Sequence, residues 1–401
     1  AGGPPMPSVC IAVLVVLVQA ASALVGDGSV LVVGGSGRVG ASTAKWLHKL
    51  SSQAGSPLSI ALGGRSEQSF QKTRSRLGID QLDFVPIDLD GDSDALRRAI
   101  MGRSLVVHTA GPFQQREDPV LLRACIDAGV AYADVCDELP LSRNARALAE
   151  QAVANDVPAV VSCGIWPGVS ALMAAEAVAQ LGGRGACERL EFSFHTAGTG
   201  GAGPTIVSAT FLLLCTEVVT YVDGKLVEKE PWTEKATVDF GPGIGEKPCY
   251  LLDNPDVPTS AEALGVKYAC SRFGTAPSFW NDLFGGMKLL PNSLLADRKA
   301  MQNLADFSMP IIRTVDALVG ATNAMRVDAF AADGRKVTLR VAHPDLEDCV
   351  GQATAAFGME LLREGDEATI RPGVWYPAEL GDEARASILQ GARENAFIWD
   401  L

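Results

Sequence analysis

Ser29-Val-Leu-Val-Val33, running into Gly34-Gly35-Ser36-Gly37-Arg38-Val39-Gly40, is the stretch on which the fold turns. A short β-branched run breaks on glycines, and helically spaced apolar residues take over through Ala44, Leu47 and Leu50. Gly35, Gly37 and Gly40 satisfy G-x-G-x-x-G, while Gly34, Gly37 and Gly40 satisfy the looser G-x-x-G-x-x-G. A strand that turns on glycines into a helix offers the unpaired amides of the helix N-terminus to a bound anion. That context, more than the glycines themselves, predicts a dinucleotide site.

The alternation continues outward. Further strands are predicted at 58–62, 82–87, 105–108, 131–135 and 159–162, with helices at 67–76, 93–100, 119–127 and 143–155 between them. Strands separated by helices imply right-handed parallel crossovers, hence an α/β, doubly wound parallel Rossmann sheet over residues 28–185. Ligands of such sheets sit outside the carboxyl ends of the strands. The second strand ends in Gly63-Gly64-Arg65-Ser66, where an NAD site would usually carry a carboxylate for the ribose hydroxyl. Arg65 and Ser66 suit a 2′-phosphate instead, which favours NADP, and Arg38 is a second cation for the same group. Asp88, at the end of the third strand, is placed to accept from an adenine amino group or to cap a helix. The ends at Thr109-Ala110-Gly111-Pro112-Phe113, at 132–138 and at 163–169 are expected to surround the nicotinamide.

In combination, 34–40, 109–113, 132–138 and 164–171 resemble the NADP-binding domain of the saccharopine dehydrogenase-like oxidoreductases, in that family's order across residues 29–185. The resemblance implies a Rossmann domain followed by an α+β domain whose sheet closes over the nicotinamide. It assigns cofactor contacts to Gly34, Gly35, Ser36, Gly37, Arg38, Val39 and Gly40, to Arg65 and Ser66, and to Ala110, Gly111 and Pro112. It further implies hydride transfer to or from a C=N or C=O bond of a small metabolite. Two alternatives stand beside that one. The first is a non-catalytic NADP-binding protein acting as sensor or assembly subunit. The second is lipid or isoprenoid reduction, suggested by the apolar residues Phe273, Phe279, Trp280, Phe284 and Met287.

After residue 185 the texture changes to an α+β pattern with an antiparallel sheet, expected to serve substrate binding and, in a homodimer, the interface. Hairpins are predicted around Asp223-Gly224 and Asp333-Gly334, helices at 205–214, 297–319, 345–362 and 382–395, and an edge strand at 397–399. The glycine loop at 198–204 is either a seat for a substrate carboxylate or a hinge. Tyr221 and Lys225 match Y-x-x-x-K, but the Asp-Gly between them makes a turn, and that acid–base pair needs one helical face. Asp134, Cys136, Asp137, Glu138, Cys163 and His195 could supply a proton near the nicotinamide, and no spacing singles one out. Arg272, Arg313, Arg326 and Arg340 would have to converge on the cleft if the substrate were a polycarboxylate.

A net charge of −13 without any basic run argues against a nucleic-acid partner. Nine scattered cysteines without a C-x-x-C pair read as reduced core thiols, and the four histidines lack ligand spacing, so no metal is expected. Residues 1–27 hold an apolar run at 9–18 and Ala21-Ser22-Ala23, like a signal peptide or a bipartite organelle address. The run is too short for a stable membrane span. A plastid or other organelle is therefore expected, with the cytoplasm as the alternative.

Overall fold

The computed structural model describes residues 28–111, 113, 116–198 and 203–401. The leader expected at 1–27, Pro112 and residues 199–202 of the second glycine loop lie outside the described residues. Six strands, β1 (Ser29–Val33), β2 (Ser59–Gly64), β3 (Asp83–Pro86), β4 (Leu105–His108), β5 (Ala131–Asp134) and β6 (Pro158–Val160), lie parallel in the order β6-β5-β4-β1-β2-β3. This is the doubly wound order expected from the alternation. Both faces of β1 are buried, Val30 and Val32 in one apolar cluster and Leu31 and Val33 in another. Burial on two faces explains why the run is continuously apolar.

The crossovers are α1 (Arg38–Gln53), α2 (Glu67–Leu77), α3 (Ser93–Ile100), α4 (Val120–Ala128) and the pair α5 (Leu139–Arg146) and α6 (Ala149–Ala154). The single helix expected at 143–155 is thus two. Pro140 lies in the first turn of α5, where its missing N–H costs nothing, and starts a helix ahead of the expected one. Next, α7 (Val169–Leu181) is buried nearly all round and shares its apolar cluster with strands of both sheets. Such a helix is the filling between two layers.

The second layer begins with β7 (Cys187–Ala197) and α8 (Pro204–Leu213), then β8 (Val218–Val222), β9 (Lys225–Lys229), β10 (Ala236–Asp239), β11 (Glu246–Leu251), α9 (Asp256–Leu264) and β12 (Tyr268–Ala276). It continues with α10 (Phe279–Met287), α11 (Asn292–Leu295), α12 (Arg298–Val319), β13 (Thr322–Ala331) and β14 (Lys336–His343). After α13 (Leu346–Leu361), β15 (Gly373–Trp375) and α14 (Asp382–Gly391), the chain closes with β16 (Ile398–Asp400). The second sheet runs β10-β11-β12-β7-β13-β14-β16. It is mixed, not wholly antiparallel, because β12 pairs parallel with β7. Tyr221 and Lys225 sit on the two arms of a hairpin, opposite Leu226 and Val222, so they share no helix face.

The carboxyl-terminal part does not stay in the second layer, as a boundary at 185 would have it. β15 pairs parallel with β6 and becomes the seventh strand of the first sheet. Helix α13 lies on α1 so closely that a Cβ at Gly351 would come 2.3 Å from Ser42 Oγ. An unpaired strand edge and an uncovered helix face both draw a later segment back. β16, by contrast, joins the second sheet beside β14, as its sequence suggests.

Candidate functional site

The glycine loop and the end of β4 form one unit. Gly34 has φ +81°, and a Cβ there would stand 2.7 Å from the backbone of Ala110. At Gly40 a Cβ would stand 2.5 Å from the Gly34 carbonyl oxygen and 2.6 Å from Thr109 Oγ1. The loop closes through the Gly37 N–H, which donates to the Gly34 oxygen at 2.8 Å, and Thr109 Oγ1 donates to the Val33 oxygen at 2.9 Å. So Gly34 and Gly40 pack directly against Thr109 and Ala110. No side chain caps α1, which leaves its first-turn amides directed at the loop mouth. Ser36 Oγ is enclosed there without a hydrogen-bond partner. The Ser36 hydroxyl and the helix N-terminus around one hollow fit the oxygens of a pyrophosphate.

One strand over, Arg65 and Ser66 are exposed at the end of β2. Ser66 Oγ accepts the Ser69 N–H at 3.2 Å and caps α2, while Arg65 forms no ion pair with a described residue. Asp88 Oδ1 accepts the Asp90 N–H at 3.2 Å, making a turn beyond β3. Arg38 points elsewhere. Its Nε donates to Glu347 on α13, whose other oxygen accepts the Gly203 N–H at 3.0 Å. Glu347 therefore ties the first loop to the start of α8 and takes an amide that a substrate carboxylate could have used. Burial pushes its carboxyl upward and Arg38 pulls it back.

Between the layers lies a cavity of about 360 Å³, bounded by Gly37–Val39, Thr109, Gly111, Val135, Asp137 and 164–167. The ends of β4, β5 and β6 do meet there. The far wall comes from the second layer: Phe194, Leu213, Leu252, Asp253 and Phe273. Trp166 stacks on Phe194 at 4.7 Å and on Phe273 at 5.7 Å between ring centroids. Apolar rings thus make most of the floor, and Asp137 and Asp253 supply carboxylates. Asp253 accepts the Val219 N–H at 2.8 Å; burial pushes its carboxyl up to about 6. Next to Asp137, Glu138 is pushed up to about 7 by burial, then by the Asp137 and Asp253 charges.

The remaining candidates have structural work. Asp134 accepts from Ser162 N at 2.7 Å, Cys136 N at 3.0 Å and the Tyr132 hydroxyl at 3.1 Å, pinning the ends of β5 and β6 together. Burial still lifts its carboxyl to about 6. Burial drives the Cys136 and Cys163 thiols far upward, which removes the thiolate a nucleophile needs. His195 is buried beside Phe240 and pushed down to about 4 by burial, off the cavity wall. The four arginines do not converge. Arg272 reaches Glu234, Arg326 reaches Asp328, Arg340 reaches Asp239 and Asp400, and Arg313 is exposed on α12. No group of three or more His, Cys, Asp or Glu among the described residues could hold a metal ion. Asp253 and Glu347 were not legible as site residues. Asp253-Asn-Pro reads as a turn and Glu347 as the first turn of a helix, and neither pattern says which wall it faces.

A parallel sheet in this order, a glycine turn into an uncapped helix and a second sheet over the strand ends define a two-layer dinucleotide-binding protein. Residues 30–160 match the saccharopine dehydrogenase NADP binding domain. The trans-acting enoyl reductase of Mycobacterium leprae is 34% identical over 137 residues, covering 34% of this chain and 32% of that protein. The trans-acting enoyl reductase of Mycobacterium tuberculosis H37Rv is 33% identical over the same length and coverage. The chain thus spans about a third of the length of these curated relatives. Apo saccharopine dehydrogenase (L-Glu forming) from Saccharomyces cerevisiae superposes with a TM-score of 0.62 over 90% of this chain and 96% of its own, at 15% identity. That likeness is one of fold.

Proposed function

We propose that the protein is an NADP-dependent oxidoreductase that reduces an activated double bond of an apolar small molecule held against Trp166. The observation that carries this is the cleft itself: rings at the strand ends beside the glycine loop, with no converging arginines. A polycarboxylate substrate would meet only Arg38 there, already bonded to Glu347, and would face the carboxylates of Asp137 and Asp253. A C=C bond conjugated to a carbonyl suits the cleft better, and trans-acting enoyl reductases are among the relatives.

Gly34–Gly40 and Ser36 Oγ would hold the pyrophosphate, Arg65 and Ser66 the 2′-phosphate, Asp88 the adenine, and Ala110 and Gly111 the edge of the nicotinamide. NADPH, when bound, supplies the hydride. Trp166, Phe194 and Phe273 orient the apolar chain and exclude water. Glu138, half protonated near pH 7, is suited to deliver a proton toward the cleft through Asp137 or an intervening water.

The test is NADPH oxidation followed at fixed enzyme concentration with α,β-unsaturated thioesters and ketones of increasing chain length, beside 2-oxo acids with amines. Turnover rising with chain length on the unsaturated substrates is expected. Turnover restricted to 2-oxo acids with amines would refute the C=C assignment. Tight NADPH binding without turnover on any substrate would make the protein a binder, not an enzyme.

A further inference from the structure

Helices α10 to α12 cover α8 on the outside of the second layer. Phe284 of α10 meets Phe211 of α8 edge to face at 6.2 Å, and α12 packs along the same helix. The inward face of α12 is ordinary core, with Met301, Ala305 and Ile312 buried. Its outward face is not what a solvated helix carries. Phe307, Ile311 and Leu318 follow one another at spacings of four and seven and so share a face, and Phe307 is 77% and Leu318 82% exposed. Leu283 on α10, Leu294 on α11 and Leu289 between them are exposed as well, Leu289 at 89%. Large apolar side chains scattered singly need no explanation, but a run of them on adjoining helices does.

Charge narrows what can cover this face. Residues 279–319 hold four acidic and four basic residues, so the stretch is neutral within a chain of net charge −13. The whole net charge lies elsewhere, and it opposes the approach of an anionic surface or of a second copy. We propose that the outer face of α10–α12 docks on an electrically neutral lipid surface, lying in its interface without crossing it. Among the described residues no helix is long and apolar enough to cross a membrane. Docking stands on the surface alone. Its use rests on the proposed function: α8, which α10–α12 cover, carries Pro204, Ala209 and Leu213 on the cleft wall, so only these two helix layers separate the docked face from the substrate cavity.

The test is flotation of the full chain with phosphatidylcholine vesicles. Wild type is expected to rise with the lipid, and F307D/L318D to lose on the order of tenfold in partitioning. L289D is a second variant, at a position too exposed to disturb the core. Melting temperature and NADPH affinity of the variants should match wild type, which separates docking from folding and from the enzymatic proposal. Vesicles of phosphatidylserine should bind more weakly at low salt. Absence of flotation by wild type at saturating lipid, equal flotation by the variants, or stronger binding to the anionic vesicles would each overturn docking to a neutral lipid. So would a wild-type dimer that the same substitutions convert to monomer, because the face would then belong to a second copy.

Discussion

Arg65→Asp is expected to weaken NADPH binding about a hundredfold and to leave NADH almost untouched. Arg65 stands exposed at the end of β2 with no described carboxylate competing for it, while Arg38 is committed to Glu347 on the other side of α1. The 2′-phosphate therefore depends on one guanidinium. Charge-assisted hydrogen bonds contribute about 1.5–3 kcal/mol in mutational series, and exposure to solvent argues for the lower end. Losing about 1.5 kcal/mol is roughly tenfold. An aspartate about 6 Å from a phosphate of charge near −2, in a water-like medium, adds repulsion of about 1.4 kcal/mol, roughly another tenfold. The assay is a fluorescence titration of NADPH and NADH at low salt and at about 1 M, where the screening length falls to about 3 Å. The repulsive share should fade at high salt, leaving a loss of about tenfold. Parallel losses for both coenzymes, or no change for NADPH, would refute the assignment of Arg65.

Gly34→Ala should cost about 2–4 kcal/mol, combining the left-handed backbone with a Cβ 2.7 Å from Ala110. A melting temperature and NADPH affinity equal to wild type would show that the loop and the β4 end are not one unit. Glu138, pushed up to about 7, can donate a proton only below that pH, so kcat should fall on the alkaline side and Glu138→Gln should flatten that limb. An alkaline limb unchanged in the variant assigns the proton to another group. Asp256, buried and hydrogen-bonded by Ser170, is pushed up to about 7 from 3.8. The stability from its protonated form is full below about pH 4 and lost as pH rises through about 7. Asp256→Asn, neutral throughout, should gain on wild type in melting experiments as pH rises from about 4 to 7. Parallel melting curves would contradict that linkage.

Much of the local structure could be read from the sequence, although the division of 143–155 into α5 and α6 could not. The turn at Gly34–Gly40, the strand and helix alternation up to α7, the Asp-Gly hairpins and the basic end of β2 each depend on residues a few positions apart, and torsional preference and apolar periodicity write such features directly into the chain. The contacts that complete the cleft are of another kind. Glu347 meets Arg38 across 309 positions, β15 returns to the edge of β6, and Asp253, Phe194 and Phe273 close over strand ends from the other layer. Each arises because a buried face or strand edge must be covered by something, and many segments of suitable pattern could do it. Only the packing of the whole chain selects which one, so the glycine turn was legible from the amino-acid order and the far wall of the cleft was not.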